Sequence, residues 1–180
     1  MTNKPKRLLC IIGSMNVGGA ETFLMKIYRE LNKSKYQMDF YVATSEEGYY
    51  EKEIRSLGGK IYRGTPKTRG FIKSFMKIRE IVKNGQYDYV LRISQHSISA
   101  LDLLAAKLGG AKKLIFRSSN SNTIGGKVDR FLHFIFKWFA KCIPNIKIAP
   151  STEAAVFMFG ERSVKKGEVF ILKNAIPIEN

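Results

Sequence analysis

The sequence predicts an α/β domain in which a mostly parallel sheet lies between two layers of helices. Short apolar runs alternate about six times with longer segments of helical periodicity, and the connections between them are short. Right-handed crossovers between parallel strands place helices on both faces of a sheet, so this order predicts a three-layer sandwich. The chain has 180 residues, 44% of them hydrophobic and 26% charged, which suits one compact domain with an ordinary core.

The first half of the sequence alternates strand and helix patterns. Residues 7–13 form a continuous apolar run that ends at glycine, which is typical of a strand buried on both faces. Apolar residues at helical spacing share one face of a helix predicted over 20–31. The same reasoning predicts strands at 38–44, 60–63 and 87–93 and helices at 49–57 and 70–83.

The second half continues the same alternation, without repeats or flexible linkers. Ser151 is predicted to cap the N-terminus of the helix that follows it. Residues 118–126 are rich in Ser, Asn, Thr and Gly, which predicts a polar loop. The remaining predictions are helices at 97–108, 127–142 and 152–159 and strands at 113–116, 146–149 and 168–172.

The helix predicted over 127–142 is unusually aromatic. Its polar members Arg130, His133, Lys137 and Lys141 fall on one narrow stripe, and the rest is apolar. We interpret it as a core helix whose basic stripe faces outward. The alternative is an interfacial helix whose rings enter a bilayer while the stripe meets anionic lipid.

The charge balance is strongly basic. Lys and Arg number 31 against 15 Asp and Glu, which gives a net charge of +16. Nucleic acid, an anionic membrane surface or a phosphorylated substrate could each match this charge, and so could a merely soluble protein without such a partner. Residues 60–92 and 107–147 each contain nine basic residues, which favours a membrane surface. No nucleic-acid-binding motif is present, so we expect no nucleic-acid partner.

Cysteine usage and the N-terminus predict a cytoplasmic protein, and the basic charge adds the prediction that it is peripheral at the inner face of the cell membrane. Cys10 and Cys142 lie in apolar and aromatic runs, which predicts two buried free thiols. No Cys/His spacing indicates a metal site, and we expect neither a metal nor a cofactor. The N-terminal apolar run is too short for a signal peptide, and no apolar segment is long enough to cross a membrane.

The first candidate site is Gly18-Gly19-Ala20-Glu21, between the first strand and the first helix. Adjacent glycines at a helix start let the backbone approach a ligand and direct free N–H groups at an anion. The spacing matches neither a dinucleotide fingerprint nor a phosphate-binding Walker loop. A turn that binds nothing is the alternative, in which Glu21 only complements the helix dipole.

Two further candidates follow the fourth and fifth strands. His96 lies at the end of the fourth strand, where substrates bind in such folds; the alternative is a capping or surface histidine. Arg117, Ser118 and Asn120 begin a segment dense in hydroxyl and amide groups, which suits sugar or phosphate oxygens and equally suits a solvated loop.

Together these segments resemble the N-terminal domain of family 4 retaining glycosyltransferases of bacterial capsule and exopolysaccharide synthesis. The resemblance spans essentially the whole chain. It rests on Gly18-Gly19-Ala20-Glu21, Tyr87-Asp88-Tyr89-Val90 leading to His96, Ile148-Ala149-Pro150-Ser151-Thr152-Glu153-Ala154-Ala155, Phe159-Gly160 and Ile171-Leu172-Lys173-Asn174-Ala175-Ile176.

The resemblance implies a Rossmann-like domain that forms one half of a GT-B architecture. Residues 1–173 would be the acceptor-side domain, and 174–180 would begin the linker to a C-terminal donor-binding domain that this chain does not contain. Gly18 and Gly19 would face the donor diphosphate, and His96 would lie near the reacting sugar or acceptor. Relatives often place a histidine near the position of Arg117, which could instead bind an acceptor phosphate.

The function that this implies is transfer of a sugar from a nucleotide-sugar to a saccharide, lipid-linked at the membrane, in cell-surface polysaccharide synthesis. Without the donor-binding half we expect this chain to be inactive alone. The alternative is a non-catalytic module that binds a phosphorylated or anionic ligand through Gly18 and Gly19.

Overall fold

The computed structural model describes residues 4–64, 70–119 and 126–173. The strands in these ranges are β1 (Lys6–Ile12), β2 (Tyr36–Val42), β3 (Ile61–Arg63), β4 (Tyr89–Ser94), β5 (Lys113–Ser118), β6 (Ile146–Ala149) and β7 (Val169–Ile171). The helices are α1 (Gly19–Glu30), α2 (Glu51–Ser56), α3 (Phe71–Gly85), α4 (Ala100–Leu108), α5 (Lys127–Cys142), α6 (Thr152–Phe159) and α7 (Glu161–Lys165), and a 3-10 turn at Ser97–Ser99 precedes α4.

The strands of the described ranges form one parallel sheet in the order β3-β2-β1-β4-β5-β6-β7. Alternate side chains of β1 enter two separate cores, as expected for a central strand buried on both faces. Helices α1 and α2 pack on one face, while α3, α4, α5 and α6 pack on the other. The predicted three-layer α/β sandwich is confirmed.

Most predicted elements occur within a few residues of their expected bounds. Helices 127–142 and 152–159 and strand 146–149 match residue for residue. The hydroxyl of Ser151 accepts a hydrogen bond from the backbone N–H of Ala154 at 3.2 Å, which confirms the predicted cap. Helix α7 was not predicted, and the helix expected over 97–108 begins instead with the 3-10 turn.

The prediction that α5 turns its basic stripe outward is wrong for His133 and Lys137, which face α6, whereas Arg130 is exposed as predicted. The His133 ring stacks on Phe157 of α6, with the ring centres 4.2 Å apart. Lys137 donates from Nζ to the backbone carbonyl of Val156 at 3.1 Å. These two residues turn inward because the backbone of α6 offers acceptors there. Phe134, Trp138 and other rings on the opposite side of α5 are therefore exposed.

Three predictions about burial also need correction. Cys10 is buried as predicted, and burial raises the pKa of its thiol, but Cys142 is exposed near the end of α5. Arg92 and Arg117, counted above among the basic residues of a membrane surface, are both buried. Arg92 pairs with Asp102 of α4, and Arg117 lies against the Phe23 ring of α1. No helix in the described ranges is long and apolar enough to cross a membrane.

Candidate functional site

The candidate site lies where the strand order reverses. Strand β1 has β2 on one side and β4 on the other, so the connections that leave β1 and β4 diverge at the carboxyl edge of the sheet. Ligands bind at such switch points in open α/β sheets. The β1–α1 loop, residues 13–18, and the β4–α4 loop, residues 95–99, therefore define the site.

The N-terminus of α1 provides the anion-binding feature of this edge. Gly18 is the N-cap residue with extended backbone angles, and no side chain caps the helix. The first N–H groups of an α-helix have no acceptor within the helix, and the helix dipole favours an anion beside them. The carboxylate of Glu21 lies over Gly18 so closely that a Cβ there would collide with it. Glu21 thus places a negative charge at the end of the helix where an anionic ligand would be favoured.

The β2–α2 loop supports the β1–α1 loop from one side. The backbone N–H of Tyr50 donates to the carbonyl of Met15 at 2.9 Å, and that of Tyr49 donates to Oδ1 of Asn16 at 3.1 Å. Gly48 allows this approach because a Cβ at its position would lie 2.7 Å from the Met15 backbone. Sequence reasoning missed this support, although a glycine between a strand and a helix is a signal for it.

His96 is held in the β4–α4 loop mainly through its backbone. Its N–H donates to the hydroxyl of Ser94 at 3.1 Å, and its carbonyl accepts from the N–H of Ser99 at 3.1 Å. The ring is partly exposed, and its Nε2 lies 3.1 Å from the side-chain nitrogen of Gln95. These contacts fix the loop at the edge of the sheet, beside the β1–α1 loop.

A buried polar network lies under the His96 loop. Arg92 forms an ion pair with Asp102 of α4 at 2.7 Å, and it donates to the hydroxyl of Ser99 at 3.1 Å. The same guanidinium donates to the carbonyls of Ile11 at 3.1 Å and Ile93 at 2.7 Å, near the ends of β1 and β4. Arg92 therefore ties together the two strands whose loops form the site.

This network was not predicted. Sequence reasoning missed Ser99 and Asp102 as residues that shape the site. It counted Arg92 among the basic residues of a membrane surface. An arginine within the apolar run 87–93 is the signal that could have indicated a buried, paired cation.

Arg117 and Ser118, which were predicted to bind a ligand, are both buried in the domain. The guanidinium of Arg117 lies 4.0 Å from the centre of the Phe23 ring of α1, and burial lowers its pKa. Ser118 is fully buried at the end of β5. Both residues instead pack inside the domain. Asn120, the third residue of this set, lies outside the described residues.

The opposite, amino edge of the sheet also has open grooves, with Arg7, Lys83 and Lys112 among their lining residues. Two of these charges are paired within the domain, since Arg7 contacts Asp39 at 2.6 Å and Lys112 contacts Asp88 at 2.7 Å. We assign the site to the carboxyl edge because there the helix N-terminus and the loop ends converge. Within the described ranges, no group of three His, Cys, Asp or Glu residues could hold a metal ion.

Comparison with known proteins defines the class. The chain belongs to Glycosyltransferase Family 4, whose profile matches residues 17–180. It is 30% identical over 186 aligned residues to EpsF of Bacillus subtilis (strain 168), a protein named as a glycosyltransferase. That alignment covers 99% of this chain and 47% of EpsF, so the chain spans about half the length of this relative.

Solved structures share the fold at low sequence identity. The lipopolysaccharide outer core galactosyltransferase WaaB aligns with a TM-score of 0.64 at 14% identity, over 97% of this chain and 47% of that one. Anabaena Alr3699/HepE, solved with UDP and glucose, aligns with a TM-score of 0.64 at 12% identity, over 96% of this chain and 45% of that one. A UDP-N-acetylglucosamine 2-epimerase aligns with a TM-score of 0.65 at 13% identity, over 95% of this chain and 49% of that one. The domain is thus a Rossmann-like half of the GT-B type.

Proposed function

We propose that this chain is the acceptor-side half of a retaining glycosyltransferase that uses a nucleotide-sugar donor. The observation that carries the proposal is the uncapped N-terminus of α1, with Gly18 and Gly19, at the switch point beside the His96 loop. A helix N-terminus of this kind favours a diphosphate, and the adjacent loop offers an imidazole. Membership of the glycosyltransferase family supports the same reaction.

In the proposed reaction, the bond between the anomeric carbon of the sugar and the diphosphate oxygen breaks. A new bond forms from the acceptor hydroxyl oxygen to that carbon, with retained configuration and release of the hydroxyl proton. The N–H groups of Gly18 and Gly19 stabilise the negative charge that grows on the leaving diphosphate. His96 lies near the reacting sugar or the acceptor and orients it. The UDP and glucose in the HepE structure agree with a nucleotide-sugar donor.

The acceptor that we propose is a lipid-linked saccharide at the inner face of the cell membrane, in capsule or exopolysaccharide synthesis. The net charge of +16 supports an acceptor held at an anionic surface. Most donor contacts would come from a second domain joined through residues 174–180, which lie outside the described residues.

Sugar transfer by this chain alone, compared with the chain extended by a donor-binding half, tests the proposal. We expect no transfer from common nucleotide-sugars to a lipid-linked acceptor with the 180-residue chain, and turnover with the extended one. Transfer by the 180-residue chain alone would contradict the proposal that a donor-binding half is required. If the extended protein binds the diphosphate but never transfers sugar, the chain is a binding module instead.

A further inference from the structure

The two helix layers of the domain differ sharply in charge. Helices α1 and α2 each carry two basic and two acidic residues, and Arg29 of α1 pairs with Glu53 of α2 at 2.6 Å. Helices α3 and α5 each carry four basic residues and one acidic residue. The basic residues of α3 are all exposed. The positive charge of the chain is therefore concentrated on the layer that contains α3, α4 and α5.

Helix α5 adds an exposed aromatic row to this layer. Phe131, Phe134 and Trp138 follow one another along its outer side, with 63%, 79% and 62% of their surfaces exposed. Of the residues of α5, only Ala140 is fully buried, because the inward side is the polar stripe that bonds to α6. Large adjacent rings at such exposure mark an interaction surface.

We propose that the α5 row of Phe131, Phe134 and Trp138 inserts into the headgroup region of a bilayer that contains anionic lipid. The exposed cations Lys127 and Arg130 of the same helix then contact the lipid phosphates. Rings that insert beside cations that stay in the headgroups are the combination that an interfacial helix requires. A second copy of the chain fits less well, because two such faces would bring like charges together.

The docking face adjoins the candidate site. The hydroxyl of Ser97, next to His96, donates to the carbonyl of His133 in α5 at 3.0 Å. A small cavity between the His96 loop and α5 is lined by both histidines and by Asp129. A domain docked through α5 therefore holds its His96 loop close to the bilayer, within reach of a saccharide attached to lipid. This last step rests on the proposed function, whereas vesicle binding can be measured without any sugar transfer.

Trp138 is the only tryptophan of the chain and reports insertion directly. The protein is mixed with vesicles of phosphatidylcholine alone, or with vesicles in which about one lipid in three is phosphatidylglycerol. Trp138 fluorescence and co-sedimentation are measured at low and high salt. We expect binding to the anionic vesicles, a blue shift of Trp138 and quenching by brominated acyl chains. Part of the binding should survive high salt, which screens charges but not inserted rings.

Variants separate the contribution of the inserted rings to vesicle binding from that of the cations. Phe131→Ser with Phe134→Ser should weaken binding about tenfold or more and reduce its salt-resistant part. Lys127→Gln and Arg130→Gln should each weaken binding about fivefold at low salt, with the blue shift kept once the protein is bound. The matched controls are Phe170→Ser, an equally exposed ring on β7, and Lys52→Gln on α2, and both should bind like the parent.

Three results would overturn the proposal. One is an absence of binding to anionic vesicles at any salt concentration. The second is binding that salt abolishes completely, with no shift of Trp138, because the rings then stay in water. The third is a dimer in sedimentation velocity that Phe134→Ser dissociates while vesicle binding stays unchanged, which would assign the row to a second copy. Sugar-transfer results do not enter any of these tests.

Discussion

At the amino edge of the sheet, the buried carboxylate of Asp39 accepts hydrogen bonds from Arg7 and Tyr87, both at 2.6 Å, and from the backbone of Lys60 at 2.9 Å. At the carboxyl edge, by contrast, the N-terminus of α1 has no capping side chain, and His96 keeps a partly exposed ring. The amino edge thus buries a paired carboxylate, whereas the carboxyl edge keeps a helix N-terminus and an imidazole at the surface above its buried network. Substitutions at the amino edge should therefore change stability, and substitutions at the carboxyl edge should change activity.

The largest expected effect on activity comes from Gly19→Val in the enzyme that contains both halves. A β-branched side chain at this exposed position would hold a diphosphate away from the N–H groups of α1. Loss of one such donor lowers kcat by about 10²–10³. Steady-state kinetics measure the effect on kcat, and thermal unfolding measures the effect on stability. Gly126→Val, at the exposed N-cap of α5 with open space around it, is the control that should keep the parent rate.

The largest expected effect on stability comes from Asp39→Asn at the amino edge. The change leaves Arg7 and Tyr87 without their buried anion, and such losses cost about 3 kcal/mol. Urea unfolding measures the loss. Glu53→Gln, which breaks the exposed pair with Arg29, should cost less than about 1 kcal/mol. Equal losses for the two variants would show that the amino edge is not specially stabilised.

An intermediate effect is expected from Ser99→Ala, which removes a hydroxyl that accepts from Arg92 under the His96 loop. It should cost about 1 kcal/mol of unfolding free energy. It should also lower kcat about tenfold, since small displacements at a reacting centre are costly. Ser74→Ala is a close control: Ser74 of α3 is equally buried, and its hydroxyl contacts the Tyr41 hydroxyl of β2 at 2.9 Å rather than the His96 loop or Arg92. It should lose similar stability with an unchanged kcat, and a parallel loss of kcat would remove Ser99 from the positioning network.

The smallest effect concerns pH. Burial lowers the pKa of His133, with the nearby Lys137 and His96 acting in the same direction against the hydrogen bond to Phe157. The folded state thus resists protonation of this ring. Stability should be complete above the ordinary histidine pKa of about 6.5 and decline as the pH falls below it. His133→Gln, which keeps a donor for the Phe157 carbonyl, should flatten that decline in urea unfolding between pH 7.5 and 5.5, about one unit to either side of that value. An identical pH profile in the two proteins would assign the decline to other groups.

The sequence was a good guide to the elements and a poor guide to which way α5 faces. Buried strands such as 146–149 and a capped helix such as 152–159 follow from local signals. Helix α7 was missed because its five residues, directly after Gly160, contain no full period of a hydrophobic pattern. The orientation of α5 depends on the carbonyls of Val156 and Phe157, which no pattern along α5 could reveal.

The candidate site was predicted in part, for a similar reason. The Gly18-Gly19 turn and His96 follow strand ends, and the parallel sheet brings these ends to one edge, as expected. Arg117 was given a ligand-binding role because it stands at the end of a strand. Side chains alternate between the faces of a sheet, however, and α1 covers the face on which Arg117 lies.

The position of β1 in the middle of the sheet has a consequence for folding. Its pairing with β4 joins Leu8 to Tyr89, and the Arg92 bond to the Ile11 carbonyl spans 81 residues. During synthesis, β1 and β2 can pair early, but the other side of β1 stays open until β4 emerges. Such distant pairing slows folding, and an open strand invites pairing with other chains in the meantime. The switch point between β1 and β4 is therefore completed late, after most of the first half of the chain is in place.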